Sequence, residues 1–385
     1  MDPRIVEPGP GVVDPVPATP PATLEHLGWD PGWATSFAPF GEAGRRPARV
    51  VAAHRDSWVI ATPSGDFDAS VSGRLRHQAL GPGDLPAVGD WVAAVIPASD
   101  VERAVIHAVL PRRSAFRRSA GDGVGHVVDE QVLAANVDVA LLISGLDGDF
   151  NERRLERYLA VAWSGGMLPV VVLNKADVVG EVDLYLDIAA GVAPGVEVWP
   201  ISALTGDGVA ALALAHLHPG RTAVVLGSSG VGKSTLVNAL MGSERMRTSD
   251  VRASDSRGRH TTTHRELIRL PGGALLVDTP GIRSLAVAGA ADGIGAAFSD
   301  LEDLATDCRF SDCRHEREPG CAVRAALADG RLDEARFQRH RKLEKEAAHV
   351  ARQGDRLLAE AERRKWRAIA QSSHRHMAAK YGADR

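Results

Sequence analysis

Four short segments carry residue types at spacings that suit phosphate and base chemistry. Residues Gly227, Ser228, Ser229, Gly230, Val231, Gly232, Lys233, Ser234 and Thr235 follow an apolar run, TAVVL, and lead into a helical one, LVNALMG. Glycines at these places let backbone N–H groups turn toward phosphate oxygens, and the positive end of the following helix adds to the attraction. Lys233 would reach the terminal phosphates and act on the transferred group, while the Ser234 hydroxyl would bind Mg2+. Asn174-Lys175-Ala176-Asp177 closes a second apolar run, PVVVL. An Asp carboxylate there can accept from both N1–H and the N2 amine of guanine; adenine offers neither donor and would leave it unpaired. Asn174 would brace neighbouring loops, and the Lys175 stem would lie along the base. Ser202-Ala203-Leu204 closes a third run, where backbone amides can reach guanine O6. Asp278-Thr279-Pro280-Gly281 closes a fourth: Asp278 would hold Mg2+, and the Gly281 amide would sense a γ-phosphate. In the polar stretch 258–264, Thr262 is favoured as the third Mg2+ ligand, with Thr261 and Thr263 as alternatives.

A glutamine that orients the attacking water often follows such an acidic glycine motif. Ile282 stands there and can do neither half of that work, so hydrolysis should be slow unless another group supplies it. His260, beside the threonines, is the best candidate as a catalytic residue, since an imidazole can orient water or relay a proton near neutral pH. A solvated or RNA-contacting His260 is the other reading. Lysine usage points the same way as the motifs. Only six of the 45 basic residues are lysine, and two of the six are Lys175 and Lys233. A compact flexible ammonium fits those places and a broad planar guanidinium does not.

Order along the chain is informative. Guanine-nucleotide hydrolases ordinarily run phosphate loop, switch threonine, DxxG, NKxD, SA; this chain runs NKAD, SAL, phosphate loop, threonines, DTPG. The same sheet can be built with its termini moved, so the arrangement reads as a circular permutation.

A further cluster has different chemistry. Cys308, Cys313, His315 and Cys321 include every cysteine in the chain. Three thiolates and one imidazole fill a tetrahedral Zn2+ shell and leave no open position, so one structural zinc is expected per chain.

The elements that would position these groups fall into blocks. Residues 1–45 comprise a Pro-rich tail and a short arm, LEHLGWDPGW, with Leu24, Leu27, Trp29 and Trp33 to bury. Over 46–115, short β-like runs (ARVVAAH, SWVIATP, DWVAAVI, RAVIHAV) separated by Gly, Pro and Asp turns suit a small barrel, an OB-fold in the first instance. PRRSAFRRSAG at 111–121 reads either as a solvated linker or as a nucleic-acid contact. Over 116–290, apolar runs alternating with helical stretches predict an α/β domain with a mostly parallel sheet covered on both faces. Residues 291–385 read as a helical, zinc-binding domain with a basic tail: from Arg331 onward there are 15 Lys and Arg against 8 Asp and Glu. Net charge is only −4, which neither demands nor excludes a nucleic-acid partner. No run approaches the roughly 18 apolar residues that would cross a bilayer, and the N-terminus has no secretory pattern. A cytoplasmic protein without a membrane partner, and a monomer, is expected.

Taken with PAVGDW at 86–91, QVLAANVD at 131–138, GRHTTT, DTPGIR and CRFSDCRHEREPGC, these motifs closely resemble the bacterial ribosome small-subunit-dependent GTPase A family over roughly residues 24–350. The resemblance implies an N-terminal OB-fold, a permuted GTPase core with GTP and Mg2+, and a zinc-containing helical domain. It also implies late maturation of the small ribosomal subunit, contact with its rRNA, and a catalytic role for the histidine matching His260 when the subunit is bound. The Pro-rich tail and His340, where many relatives carry an aromatic residue, depart from the pattern and bear on surface contacts. The competing reading is a GTP-regulated switch acting on a protein partner through the OB-fold and the zinc unit.

Overall fold

The computed structural model describes residues 23–352 apart from 42, 55, 80, 99–101, 121–128, 243–264 and 279–290. His260, Thr262, Gly281, Ile282, the Pro-rich tail and the basic end of the chain therefore lie outside the described residues, and of Asp278 only the backbone is described.

A short arm carrying α1 (Pro31–Gly41) precedes five strands: β1 (Arg46–Ala53), β2 (Trp58–Thr62), β3 (Gly65–Val71), β4 (Trp91–Val95) and β5 (Ala104–Val109), with α2 (Gly73–Gln78) between β3 and β4. They pair in the order β1-β2-β3-β5-β4, and β1 meets β4 to close a barrel. The single parallel pair is β3 with β5. This is the OB topology expected from the run of short strands. Alternate residues fill its interior, among them Val50, Trp58, Ile60, Val92 and Ile106, as the two-residue period of a strand requires.

Two further strands, β6 (Ala115–Ala120) and β7 (Asp129–Ala135), pair antiparallel as a separate ribbon. The stretch read as a linker or nucleic-acid contact thus leads into a strand, and its first two arginines have partners within the protein. Arg112 grips the fully buried Asp90 carboxylate with two bonds of 2.7 and 2.8 Å. Arg113 pairs with Asp30 and lies over the Trp33 ring.

The chain then runs β8 (Val139–Gly145), α3 (Glu152–Ser164), β9 (Leu168–Asn174), α4 (Val182–Val192), β10 (Val198–Pro200), α5 (Val209–His216), β11 (Thr222–Gly227), α6 (Lys233–Met241), β12 (Arg265–Arg269) and β13 (Leu275–Asp278). The sheet order is β10-β9-β8-β11-β13-β12, parallel except for β12. Side chains alternate between two cores. Val139, Leu141 and Ile143 pack toward α5 and α6, whereas Ala140 and Leu142 pack toward α3 and the C-terminal helices. Both faces are covered, which is why these strands read as unbroken apolar runs. β12 also pairs with β1 of the barrel through Ala52 and Ala53, so barrel and central sheet form one continuous eleven-stranded surface.

Among the described residues, four C-terminal helices follow: α7 (Ala291–Ala297), α8 (Ser299–Thr306), α9 (Ala322–Ala328) and α10, described over 334–352. Phe298, Leu301, Val323, Phe337 and Leu343 belong to the same apolar cluster as Leu155, Leu159 and Leu142. Among the described residues, no helix is long and apolar enough to cross a membrane.

Candidate functional site

The chain steps outward from β8 to β9 to β10, returns to β11, and then builds β12 and β13 on the other side. The order reverses between β8 and β11. In open parallel sheets, ligands bind beyond the carboxyl ends of strands at such a reversal. The loop after β11 is the glycine-rich segment, and the loops after β9 and β10 carry NKAD and SAL, so three of the four motifs converge here.

The phosphate loop is built for close backbone approach. Gly230 and Gly232 have φ of +85° and +95°, a region that only glycine occupies without cost. A Cβ on Gly232 would lie 2.3 Å from Asn174 Nδ2. Val231 turns its side chain into the core beside Ile143, so its polar contribution is its backbone. Lys233 opens α6, and its Nζ donates to the carbonyls of Gly227 (2.9 Å) and Ser228. Ser234 and Thr235 stand half-buried in the first helical turn, while Ser229 and Gly230 are exposed.

Asn174 is the keystone of the base side. It is buried; its Nδ2 donates to Val231 O (2.7 Å) and its Oδ1 accepts from the Ala203 N–H (2.9 Å). One amide thereby ties NKAD to the phosphate loop and to SAL. The Ala203 amide, expected to reach guanine O6, is spent on this brace; the Leu204 amide next to it has no intramolecular acceptor among the described residues. Lys175 has φ of +66°, unfavourable for a residue with a Cβ. Its Nζ donates to Gly230 O (2.8 Å) and to Asp147, drawing the side chain across the phosphate loop. Ser202 closes a tight turn: its N–H donates to Asp207 O and its Oγ accepts from the Thr205 N–H. Asp177 is exposed at the mouth, where a base edge can reach it.

Two carboxylates in the loop after β8 complete the surroundings and escaped the motif reading. Asp147 pairs with Lys175, and Asp149 accepts from the Ser228 hydroxyl at 2.7 Å. The arrangement offers loop amides and an ammonium for a phosphate chain, and a carboxylate for a base that presents two donors. Of the expected Mg2+ ligands only Ser234 is described in full. A separate cleft of about 510 Å3 opens at the amino ends of β8 and β11, beside Trp29, Arg49 and Thr222. Its charges are largely matched with protein partners: Arg113 with Asp30, Asp138 with the Thr222 N–H, and Arg49 with four oxygens. The chemistry sits at the opposite end of the sheet.

Cys308, Cys313, His315 and Cys321 place their ligand atoms within 4.8 Å of one another. The Cys308 and Cys321 sulfurs are 3.9 Å apart, and His315 Nδ1 lies 3.6 and 3.4 Å from them. A tetrahedral zinc with the usual bond lengths implies roughly 3.8 Å between sulfurs and roughly 3.6 Å between sulfur and nitrogen. The donor set fits the metal in type, number and spacing. His315 holds φ of +59° to turn its ring inward. Desolvation, the largest influence on Cys308, opposes its ionisation, yet the amides of Val323 and Ala322 bring this thiol below its ordinary range. Desolvation and the neighbouring thiols push Cys313 up to about 11. Three sulfurs this close cannot all ionise without a cation among them.

The charge expected on the C-terminal surface is partly turned inward. Arg336 and Arg339 both bind Glu156 of α3, which is fully buried. His340, placed by the sequence reading among surface contacts, is buried edge-on against Phe298.

Comparison with known proteins agrees with this geometry. The model of the RsgA GTPase family matches residues 109–288. A small ribosomal subunit biogenesis GTPase RsgA from Opitutus terrae is 47% identical over 91% of this chain and 96% of its own length. A small ribosomal subunit biogenesis GTPase RsgA 1 from Listeria innocua is 42% identical over 86% of this chain and 91% of its own. Among solved structures, YjeQ from Thermotoga maritima superposes with a TM-score of 0.59 at 25% identity, over 79% of this chain and 99% of that one. YloQ, described as a circularly permuted GTPase, gives a TM-score of 0.55 at 21% identity, over 80% of this chain and 95% of that one, and supports the fold.

Proposed function

Because the chain belongs to the RsgA GTPase family, and is thereby a GTP-hydrolysing enzyme, we propose that it acts on the small ribosomal subunit during late assembly. On this reading it binds subunit rRNA and turns over GTP slowly alone and faster on the subunit. The observation that carries the nucleotide half is the Asn174 brace, which holds NKAD, SAL and the phosphate loop in one piece. The ribosomal half is supported by relatives that carry a small-subunit biogenesis name.

In the proposed site, the amides of residues 228–235 and the Lys233 ammonium surround the phosphates, and Lys233 exchanges its loop carbonyls for phosphate oxygens. Asp177 receives the two guanine donors, the Lys175 stem lies along the base, and within Ser202-Ala203-Leu204 the Leu204 amide is the one left to reach O6. Mg2+, held by Ser234, Asp278 and Thr262, would neutralise charge gathering between the β- and γ-phosphates. Gly281 reports the γ-phosphate, and His260 orients the attacking water in place of the side chain that Ile282 cannot supply. The cysteine cluster with His315 holds one structural Zn2+.

Co-sedimentation with small ribosomal subunits, with and without a non-hydrolysable GTP analogue, tests the proposal. Retention with the analogue is the expected result; failure to pellet in either state would leave the protein-partner switch as the better account. Direct titration should show GTP and GDP binding and ATP rejected, with Asp177→Asn losing guanine and admitting xanthine nucleotides. His260→Ala should remove subunit stimulation while GTP affinity and subunit binding persist. Loss of subunit binding instead would make His260 an RNA contact.

A further inference from the structure

The reversal of strand order brings two loops together, and only one of them holds a motif. β8 and β11 are neighbours in register, with Gly145 two residues beyond Ile143, the partner of Gly227. The short loop from β8 into α3 must therefore lie against the start of the phosphate loop. Asp149 sits in that loop, one-quarter exposed, and its Oδ2 accepts from the Ser228 hydroxyl at 2.7 Å. The same oxygen lies 2.8 Å from Arg154 Nη2, in the first turn of α3, and Arg154 also donates to the Asp149 backbone carbonyl. Asn151 caps that turn by accepting from the Arg154 N–H. The carboxylate is thus fixed on its α3 side, and what it fixes in turn is Ser228.

Ser228 is a consequential residue to hold. Its carbonyl is one of the two on which Lys233 rests, and the glycines at 230 and 232 just beyond it have the greatest backbone freedom in the loop. A loop of this composition loses conformational entropy when it closes on phosphates, unless part of it is already anchored. Its far end is anchored by Asn174 on Val231 and by Val231 in the core. At the near end the side-chain anchor is Asp149.

We propose that Asp149 is a positioning residue of the nucleotide site, holding Ser228 so that the phosphate loop presents its amides in one conformation. The proposal rests on the guanine-nucleotide reading above. It makes Ser228 a two-part residue, whose backbone faces the phosphates and whose hydroxyl is committed to Asp149.

The test is the dissociation rate of a fluorescent GDP from the full-length protein, measured by stopped flow for the unmodified chain, Asp149→Ala, Asp149→Asn, Ser228→Ala and the double variant Asp149→Ala/Ser228→Ala. Loss of a hydrogen bond to a charged group should speed release about tenfold in each alanine single variant. The double variant should release within about twofold of either single one, because one contact is removed twice. Asp149→Asn keeps an acceptor for Ser228 and should release about threefold faster than the unmodified chain. If Asp149→Ala is poorly folded, Ser228→Ala and Asp149→Asn still decide the matter. Release from Ser228→Ala at the unmodified rate would overturn the proposal and leave Asp149 as a partner of Arg154 alone. Additive effects in the double variant would overturn it too. Failure of the unmodified chain to bind GDP at all would instead remove the nucleotide reading on which it stands.

Discussion

Removing the Glu156 carboxylate should loosen the C-terminal helices from the nucleotide-binding domain more than any surface change. Glu156 lies on α3 with its side chain fully buried. Arg339 Nε donates to both its oxygens at 2.9 and 2.8 Å, and Arg336 Nη1 donates to one at 3.2 Å. Taking one member from a buried pair costs about 3–5 kcal/mol, because the abandoned charge stays desolvated. Here each abandoned arginine keeps a second carboxylate: Arg336 has Asp300 at 2.6 Å, and Arg339 has Glu152 at 3.1 Å. The expected cost of Glu156→Ala is therefore lower, about 2–4 kcal/mol. Glu156→Gln keeps shape and an acceptor but loses the charge assistance, roughly half of each bond, so about 1–2 kcal/mol is expected. Hydrogen exchange over 334–352 in the GDP-loaded protein reads this directly. Glu156→Ala should raise the opening equilibrium about 30- to 700-fold, while exchange in the barrel strands stays put. Protection in α10 within threefold of the unmodified protein would refute the reasoning and mean that the apolar contacts alone hold the helices.

Elemental analysis should find one Zn2+ per chain; chelation, or Cys313→Ser, should release protection across 308–328 and leave GDP affinity within about threefold. Metal-free protein after purification without chelator would contradict this. His216 predicts a pH dependence: burial, opposed by Glu197 at 3.2 Å, holds its imidazole below the ordinary 6.5. The unfolded chain then takes up a proton near pH 6.5 that the folded chain refuses until lower pH. Stability should fall as pH drops below that value. Melting temperatures between pH 7.5 and 5.5 should show the fall, and His216→Gln should flatten it; an unchanged slope would show that the loss comes from other groups.

The sequence made the strands and ligands legible because both are local signals. Apolar runs such as VALLISG and TAVVLG are strands with a core on each side, and Gly230 and Gly232 of the phosphate loop fall where φ is positive. β3 escaped because GDFDASV spends two of its seven residues on aspartate, which strands disfavour. The β6–β7 ribbon escaped because arginines in its first half resembled a solvated charge run. What could not be read was which charges meet. Asp90 and Arg112 are 22 residues apart, and Glu156 and Arg336 are 180 apart. Local pattern carries no information at such separations, so inward-facing arginines looked like surface. Asp147 and Asp149 were hidden for the same reason, although two acids and a glycine directly after a buried strand are a signal of a working loop.

The permutation gives this geometry a mechanical meaning. In sequence, nine residues separate the end of DTPG from the start of α7 at Ala291. α7 cannot slide freely, because Gly293 brings its backbone against α3: a Cβ there would lie 2.1 Å from Ala160 O. α3 is tied at its first turn to the phosphate loop through Arg154, Asp149 and Ser228. Along its length it is tied to α10 through Glu152, Glu156 and Arg157, the last pairing with Glu346. α10 reaches the cysteine loop through Arg341 and Glu316. An interior packed to this density transmits displacement and does not absorb it. α3, α7, α10 and the cysteine loop are thus joined contact by contact, and among the described residues that chain of contacts reaches the nucleotide site at Ser228. In the usual motif order, the chain would leave DTPG toward NKxD, inside the same domain. Moving the termini sends it instead, in sequence, toward α7 and the helices that flank the cysteine cluster.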